Sequence, residues 1–588
     1  MSEYKPQTVE IAHVLADLAD IDKIASLPGF EEASADLIEA VLDGAGKLCA
    51  NAIEPLNVVG DAEGSRVENG QVVEAPGFKE AFREYSEGGW NSLSSDPRFG
   101  GQGLPGVLAT AVQEMVQTSS IAFSLCPMLS MGAIDAIAEH ATEELKQKYL
   151  PKMVAGEWTG TMNLTESQAG SDLSVVRTRA EVCGDHYLIR GQKIFITWGD
   201  HSMTENVIHL VLARLEDAPP GVKGISLFLV PKYLVNDDGS LGERNDVEPA
   251  SVEHKLGIHA SPTCVMSFGE KDGAIGYLVG SENNGLACMF TMMNHARLLV
   301  GLQGVAVSER AFQHAVSYAR ERVQGGVTIV NHPDVRRMLM EMKALTEAAR
   351  ALAYVAMASM DFAHHSRDEE EQSYHAARVA LLTPIVKGWA TEISMEVTSL
   401  GVQVHGGMGF IEEAGAAQYY RDSRILPIYE GTNGIQAMDL AGRKFQRDGG
   451  AALRQMASEM KETLAAVQAD TALTKVASGL EAGIADLEAA MSIMLDAGKQ
   501  ESAFVGAQAF NFLMLVGVVS GGWQLARAAL AAAERQQNGS GNSDYDQSKI
   551  STASFFAEHI MARTRGYLAR LSADADSVMA IPEDKFCL

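Results

Sequence analysis

Four short segments of the chain carry residue types able to act on a small molecule. Glu430 stands in Ile428-Tyr429-Glu430-Gly431-Thr432-Asn433, approached by the apolar run Ile425-Leu426-Pro427-Ile428. Apolar surroundings disfavour the charged form of a carboxylate, so its pKa rises towards neutrality and it can serve as a general base. A glutamate in a surface loop fits the same letters. The stretch Met162-Asn163-Leu164-Thr165-Glu166-Ser167-Gln168-Ala169-Gly170-Ser171-Asp172 is dense in small and hydroxyl residues. It offers N–H and O–H donors to a flat, electron-accepting ring, or is a plain connection. In Lys193-Ile194-Phe195-Ile196-Thr197-Trp198-Gly199 an aromatic and a hydroxyl stand two apart. On a strand they share one face, suited to stacking on and bonding one ligand, although an ordinary half-buried strand reads alike. Gln403-Val404-His405-Gly406-Gly407-Met408-Gly409 has the close-set glycines that let backbone approach a pyrophosphate, or make any tight turn. Helical texture surrounds it, so it is not the strand–glycine–helix dinucleotide fingerprint.

The elements that must position these segments fall into three textures and an extra unit. Residues 1–159 read as helical, with apolar residues at three- and four-residue steps in Val107–Ser119 and Gly132–Met153. Residues 160–284 turn to β, with short branched or aromatic runs at Tyr187–Trp198, Val207–Leu215 and Gly224–Val230. Long helical periodicity returns over 285–445, as in Leu298–Arg322 and Pro333–Ala363. Gln446-Arg447-Asp448-Gly449-Gly450 reads as a hinge into a fourth unit, 446–588, built from alanine-rich helices over Ala451–Gln500 and Glu501–Gln537. A mobile loop is expected at 536–543. The fold class is mostly α with a middle β-domain.

Composition excludes several functions. The 588 residues and 62.9 kDa hold roughly three to four packed units at about 150 residues each. Lys and Arg number 47 against 76 acids, a net charge of -29, so nucleic acid and anionic membrane surfaces are poor partners. Six scattered cysteines without a CxxC pair point to a reduced, cytoplasmic-type protein with no metal site. The first twenty residues carry no apolar targeting segment. The most apolar run, Phe512–Leu525, is broken by Gly517 and Gly521-Gly522 and reads as a buried helix, not a membrane span.

Taken in order, the four segments resemble the acyl-CoA dehydrogenase family of flavoproteins over most of residues 30–445. Thr142-Glu143-Glu144-Leu145-Lys146-Gln147-Lys148-Tyr149-Leu150-Pro151 is similar to the family's helix before its Leu-Thr-Glu signature. Lys255-Leu256-Gly257-Ile258-His259-Ala260-Ser261-Pro262-Thr263 is similar to its β-domain segment, and the loop Asp96–Gly103 also matches. The resemblance implies a helical N-terminal domain, a β-barrel-like middle domain and a four-helix bundle, with FAD at their junction. The unit after 445 resembles that of a longer, typically dimeric bacterial branch.

The implied reaction is α,β-dehydrogenation of an acyl-CoA, with Glu430 as α-proton base and the hydride passing to flavin N5. The developing enolate is held by two hydrogen bonds, one from the flavin ribityl 2′-hydroxyl and one from the base's own N–H. Relatives that keep the base on an earlier helix have it just before an arginine; here Ala296 precedes Arg297, so that base is absent. For FAD the match carries over Met162, Leu164, Thr165, Ser171, Phe195, Thr197, Arg322, Gln324, His332, Gln403, Gly406, Gly407 and Thr432. Phe195 stands where tryptophan is frequent, Gln324 where threonine is usual, and Gly325 where phenylalanine is usual. Ser171, Asn294, Arg297 and Gly431 match positions near the CoA ester, Asn294 in place of an aspartate. A short-chain acyl-CoA or 3-methylmercaptopropionyl-CoA is the favoured substrate; a long-chain substrate, or an oxidase on the same scaffold, is the alternative. Phe123, Met128 and Met131 are either acyl-chain contacts or plain core. Electron-transferring flavoprotein is the implied acceptor and a homodimer the implied assembly.

Overall fold

The computed structural model describes residues 3–497 and 502–587 of the chain. It divides into two compact units, one of residues 4–7 and 32–299, the other of residues 1–3, 8–31 and 300–588.

The first unit joins helices to a sheet. Its main helices are α1 (Gly106–Ser119), α2 (Ile121–His140) and α3 (Glu143–Val154). The periodic stretch Gly132–Met153 is therefore not one helix. Ala141 is extended, and the Thr142 hydroxyl accepts the Leu145 N–H at 3.4 Å, opening a new helix with Glu143 and Glu144 in its first turn. Phe123 packs among the rings of Phe78, Phe82 and Tyr85 at centroid distances of 6.0–6.3 Å, and Met128 and Met131 are buried, so all three serve the core.

The eight-stranded sheet comprises β1 (Trp158–Asn163), β2 (Arg179–Cys183), β3 (His186–Thr197), β4 (Asn206–Ala213), β5 (Ser226–Pro231), β6 (Val247–Val252), β7 (Thr263–Phe268) and β8 (Ala274–Val279). Its order is β6-β7-β3-β8-β5-β4-β1, with β2 pairing β3 off that path. Only the β1–β4 pair is parallel. Strands β4 and β5 are buried at every position, which explains runs without polar alternation. β3 serves two neighbours in turn: its first half meets β2 and β8, its second half meets β7. Ile189, Ile196, Phe228, Met266 and Phe268 fill the space inside the curled sheet.

The second unit is helical: α4 (Gly285–Glu321, from Val300 onward), α5 (Pro333–His365), α6 (Glu369–His405), α7 (Asn433–Met438), α8 (Ala451–Gln468), α9 (Thr474–Ala497), α10 (Ser502–Asn538), α11 (Ser543–Phe555) and α12 (Arg563–Leu571). The expected helix over 451–500 is two, interrupted at 469–473, where Asp470 accepts the Ala472 N–H at 2.9 Å; its last residues, with Glu501, lie outside the described ones. At the expected hinge the Asp448 carboxylate accepts from Gly450 and Ala452 N–H, capping α8. Helix α10 runs on to Asn538, and the expected loop narrows to 539–542, where the Asn542 side chain caps α11. The apolar run Phe512–Leu525 lies inside α10, a helix that packs against α5, α6, α7, α9, α11 and α12. A buried charge cluster ties the helix Thr8–Asp17 to this unit: Lys549 Nζ meets Glu10 at 2.7 Å and Glu347 at 2.6 Å, while Arg535 meets Asp17 at 2.7 Å. All six cysteines are free, four of them buried.

Candidate active site

In the first unit, strand β1 delivers the chain into the loop that carries Leu164 and Thr165. That loop is bolted to β3. The Ile194 N–H donates to the Thr165 carbonyl at 2.9 Å, and Lys193 Nζ donates to the Leu164 carbonyl at 3.0 Å and to Glu166 Oε1 at 2.8 Å. Glu166 accepts further bonds from the Thr178 hydroxyl and from the Arg177 and Thr178 N–H groups. Burial pushes the Glu166 carboxyl up, but the Lys193 charge and these hydrogen bonds outweigh it and hold the pKa at about 2. Burial draws the Lys193 amine down to about 8, against the pull of Glu166. Neither residue was singled out for this role from sequence, although each lies inside a segment that was.

Where β3 faces β7 the register slips: Met266 pairs with Lys193 and Cys264 with Ile196. The extra residue forms a bulge, and Phe195 sits there at φ +60 with 59% of its surface exposed. Ile196 points into the core, so its neighbours Phe195 and Thr197 look out on the other, accessible side. Trp198, also at positive φ, is buried and donates Nε1–H to the Ala122 carbonyl at 3.0 Å. Met162 is half-buried and Ser171 exposed farther along the loop. Asn294 and Arg297 share one face of α4, the guanidinium reaching Asn294 Oδ1 at 3.5 Å and lying over the Phe290 ring.

In the second unit Arg322 is exposed just beyond α4, at the start of a two-stranded ribbon that turns on Gly325 and Gly326. His332 Nε2 meets the Gln324 carbonyl at 3.0 Å, so these two positions come together. The ends of α4 and α6 meet through stacked rings, His405 lying 4.6 Å from His314 and 4.4 Å from Tyr318. Gln403, Gly406 and Gly407 are all exposed there, next to Met408 and an 88% exposed Phe410.

Glu430 occupies the turn between Leu426 and α7, half-buried, at φ +56, with Gly431 at +87. Left-handed backbone at a non-glycine residue is a strained state that surrounding structure must impose. Tyr429, just before it, donates its hydroxyl to Gln303 Oε1; burial, with the Glu430 charge beside it, raises that phenol well above its ordinary pKa. Thr432 caps α7 by accepting the Ile435 N–H at 3.3 Å. Beneath the turn lie Lys387 and Gln436, which the sequence reading passed over. The available signal was Lys387 as the one charge within Leu381–Trp389.

Four family models match in chain order: acyl-CoA dehydrogenase N-terminal domain over 39–157, middle domain over 161–270, C-terminal domain over 283–445, and acetyl-CoA dehydrogenase C-terminal like over 456–582. A 3-methylmercaptopropionyl-CoA dehydrogenase of Ruegeria pomeroyi is 45% identical, over 98% of this chain and 99% of its own. A butyryl-CoA dehydrogenase of Syntrophomonas wolfei is 33% identical over 99% of each chain. The crystal structure of a Bacillus anthracis acyl-CoA dehydrogenase complexed with FAD shares the fold, with a TM-score of 0.75 at 21% identity, over 94% of this chain and 91% of that one. With its domain models in order and full-length likeness to such relatives, the chain belongs to the acyl-CoA dehydrogenase family.

Proposed function

We propose that the chain is an FAD-dependent dehydrogenase that converts a short acyl-CoA to its 2-enoyl-CoA, with Glu430 as the base. The observation that carries this reading is the Glu430 turn, a half-buried carboxylate held at strained backbone angles between a half-buried tyrosine and a glycine. Glu430 takes the α-proton, and its own N–H donates to the thioester oxygen as negative charge gathers there. When bound, FAD supplies the acceptor for the hydride leaving the β-carbon. The residues present suit it: an exposed aromatic at a bulge, Phe195, stands beside Thr197 and a loop whose backbone is already fixed by Lys193. Met162, Leu164, Thr165, Ser171, Phe195, Thr197 and Thr432 would hold the flavin half. Arg322, Gln324, His332, Gln403, Gly406 and Gly407 would reach the pyrophosphate and adenosine of a second copy's FAD, making a homodimer; the exposed apolar Met408, Phe410 and Ile411 support that contact. Ser171, Asn294, Arg297 and Gly431 would meet the CoA ester.

Glu430→Gln tests the base. The variant is expected to bind FAD and acyl-CoA, while anaerobic flavin reduction slows by at least about a thousandfold. Near-normal bleaching moves the base elsewhere.

The substrate we favour is 3-methylmercaptopropionyl-CoA or a four- to six-carbon acyl-CoA, supported by full-length similarity to enzymes named for such substrates. The thioether sulfur takes the place of a γ-methylene, and apolar sites separate one methylene by only about 1–3 kcal/mol, so overlap is expected. Values of kcat/KM from butanoyl- to palmitoyl-CoA, with the thioether ester alongside, decide it; a maximum at palmitoyl refutes the short-chain reading. We place the enzyme in the cytoplasm, in dimethylsulfoniopropionate degradation, with electron-transferring flavoprotein as acceptor.

A further inference from the structure

Beneath the Glu430 turn lies a lysine that the reaction above does not use. Lys387, on α6, has no exposed surface, yet its Nζ donates to the Gly431 carbonyl at 2.8 Å and to Asn433 Oδ1 at 2.9 Å. An amine so buried is costly unless its partners are fixed in place. They are fixed. Asn433 Nδ2 returns bonds to the Gly388 carbonyl, Thr391 Oγ1 and Glu392 Oε1 at 2.9–3.1 Å. Gln436 Nε2 donates to the carbonyls of Glu430 and Gly431, each at 3.2 Å. Both left-handed residues are thus gripped by their carbonyl oxygens. Released, Glu430 would relax out of its φ of +56 and carry its carboxylate with it.

The α6 segment that presents Lys387 is itself clasped by the added domain. Trp389 is fully buried against α10, where Gly517 and Gly521 stand one turn apart and face its indole. A Cβ at either glycine would come within 2.3 or 2.4 Å of the ring, so only glycine lets the helix approach this closely. Gly388 leaves room in the same way for Leu513 of α10. Helix α7, which continues directly from the base turn, packs on α10 as well.

We infer that Lys387 is a positioning residue that holds the Glu430 turn in its reactive shape, and that α10 of the added domain clamps the helix presenting it. The inference rests on Glu430 being the base. In the FAD-loaded protein, Lys387→Met keeps the chain length and loses the three donors. Because misplacement by about 1 Å can cost about a hundredfold, flavin reduction at saturating butanoyl-CoA is expected to slow about 10- to 100-fold per bound flavin, with the Kd for butanoyl-CoA within about threefold of its original value. A lysine that is merely structural would lower thermal stability and flavin content and leave reduction per bound flavin unchanged; that result overturns the proposal. If Lys387→Met gives no folded holoenzyme, Gly521→Ala decides by the same split between rate and Kd, and an unchanged rate overturns it. Glu430→Gln, run alongside, separates the two readings. An active Glu430→Gln removes both, whereas an inactive one beside a full-rate Lys387→Met removes the positioning role alone.

Discussion

Replacing Lys193 with methionine strands a buried carboxylate, and the cost follows from the geometry. Lys193 has no exposed surface, Glu166 is 5% exposed, and their charged atoms lie 2.8 Å apart. Glu166 sits at about 2 against an ordinary 4.5, a stabilising shift, while burial holds Lys193 at about 8 against 10.5, a destabilising one of similar size, so the intact pair adds little net stability at neutral pH. Because the folded value of Glu166 is the lower one, its stabilising share is complete above pH 4.5 and is lost as pH falls from there towards 2. Lys193→Met removes the attraction and leaves the desolvation, so unfolding at pH 7 should lose about 3–5 kcal/mol. Adding Glu166→Gln removes the stranded charge and should restore more than half of the loss. Urea unfolding of the FAD-loaded protein, followed by tryptophan fluorescence for each single variant and the double, measures the cycle. Flavin content should fall with Lys193→Met, since the Leu164 carbonyl loses its tether. A single-variant loss below about 1 kcal/mol, the range of exposed pairs, would refute the reasoning. So would a double variant no more stable than Lys193→Met.

Arg322→Ala is expected to lower FAD occupancy, with added FAD restoring thermal stability by ligand linkage; full flavin content in a variant shown to be monomeric refutes the shared site. Lys549→Met removes the cation that Glu10 and Glu347 share and should cost about 3–5 kcal/mol at neutral pH. Glu347 lies at about 2 because the charges of Lys343 and Lys549 outweigh burial, so it loses one of those supports, and the deficit should shrink as pH falls through the carboxylate range. A small, pH-independent loss in thermal melts refutes that account.

The order helical, β, helical, helical was legible because periods of two and of 3.6 differ over long runs, as in Val207–Leu215 and Pro333–Ala363. Helix ends were less legible, for they turn on single caps. Thr142 and Asp470 each break a periodic run that hydrophobicity alone continues. Glu430 stood out by its motif, but its left-handed angle did not, because the turn's carbonyls are held by Gln436 and by Lys387 of a separate helix only in the folded chain. Phe195 and Thr197 were paired by a two-residue period, while the bulge that exposes the ring depends on its slip against Met266 and Cys264. Lys193 and Glu166 lie 27 residues apart, and nothing local announces their pairing.

The buried cluster at Glu10 has a consequence for how the protein is made. Its partner Lys549 lies 539 residues later in the chain. At ribosomal rates of about 5–20 residues per second, roughly half a minute to two minutes separate the synthesis of the two. Helix Thr8–Asp17 leaves the ribosome long before Lys549, Tyr545 and Arg535, which bind its acids. Over that interval Ile11, Val14 and Leu15, buried in the finished protein, have no finished surface to dock on. A nascent chain halted before α11 would therefore present this apolar stripe to chaperones, and the full-length chain would withdraw it.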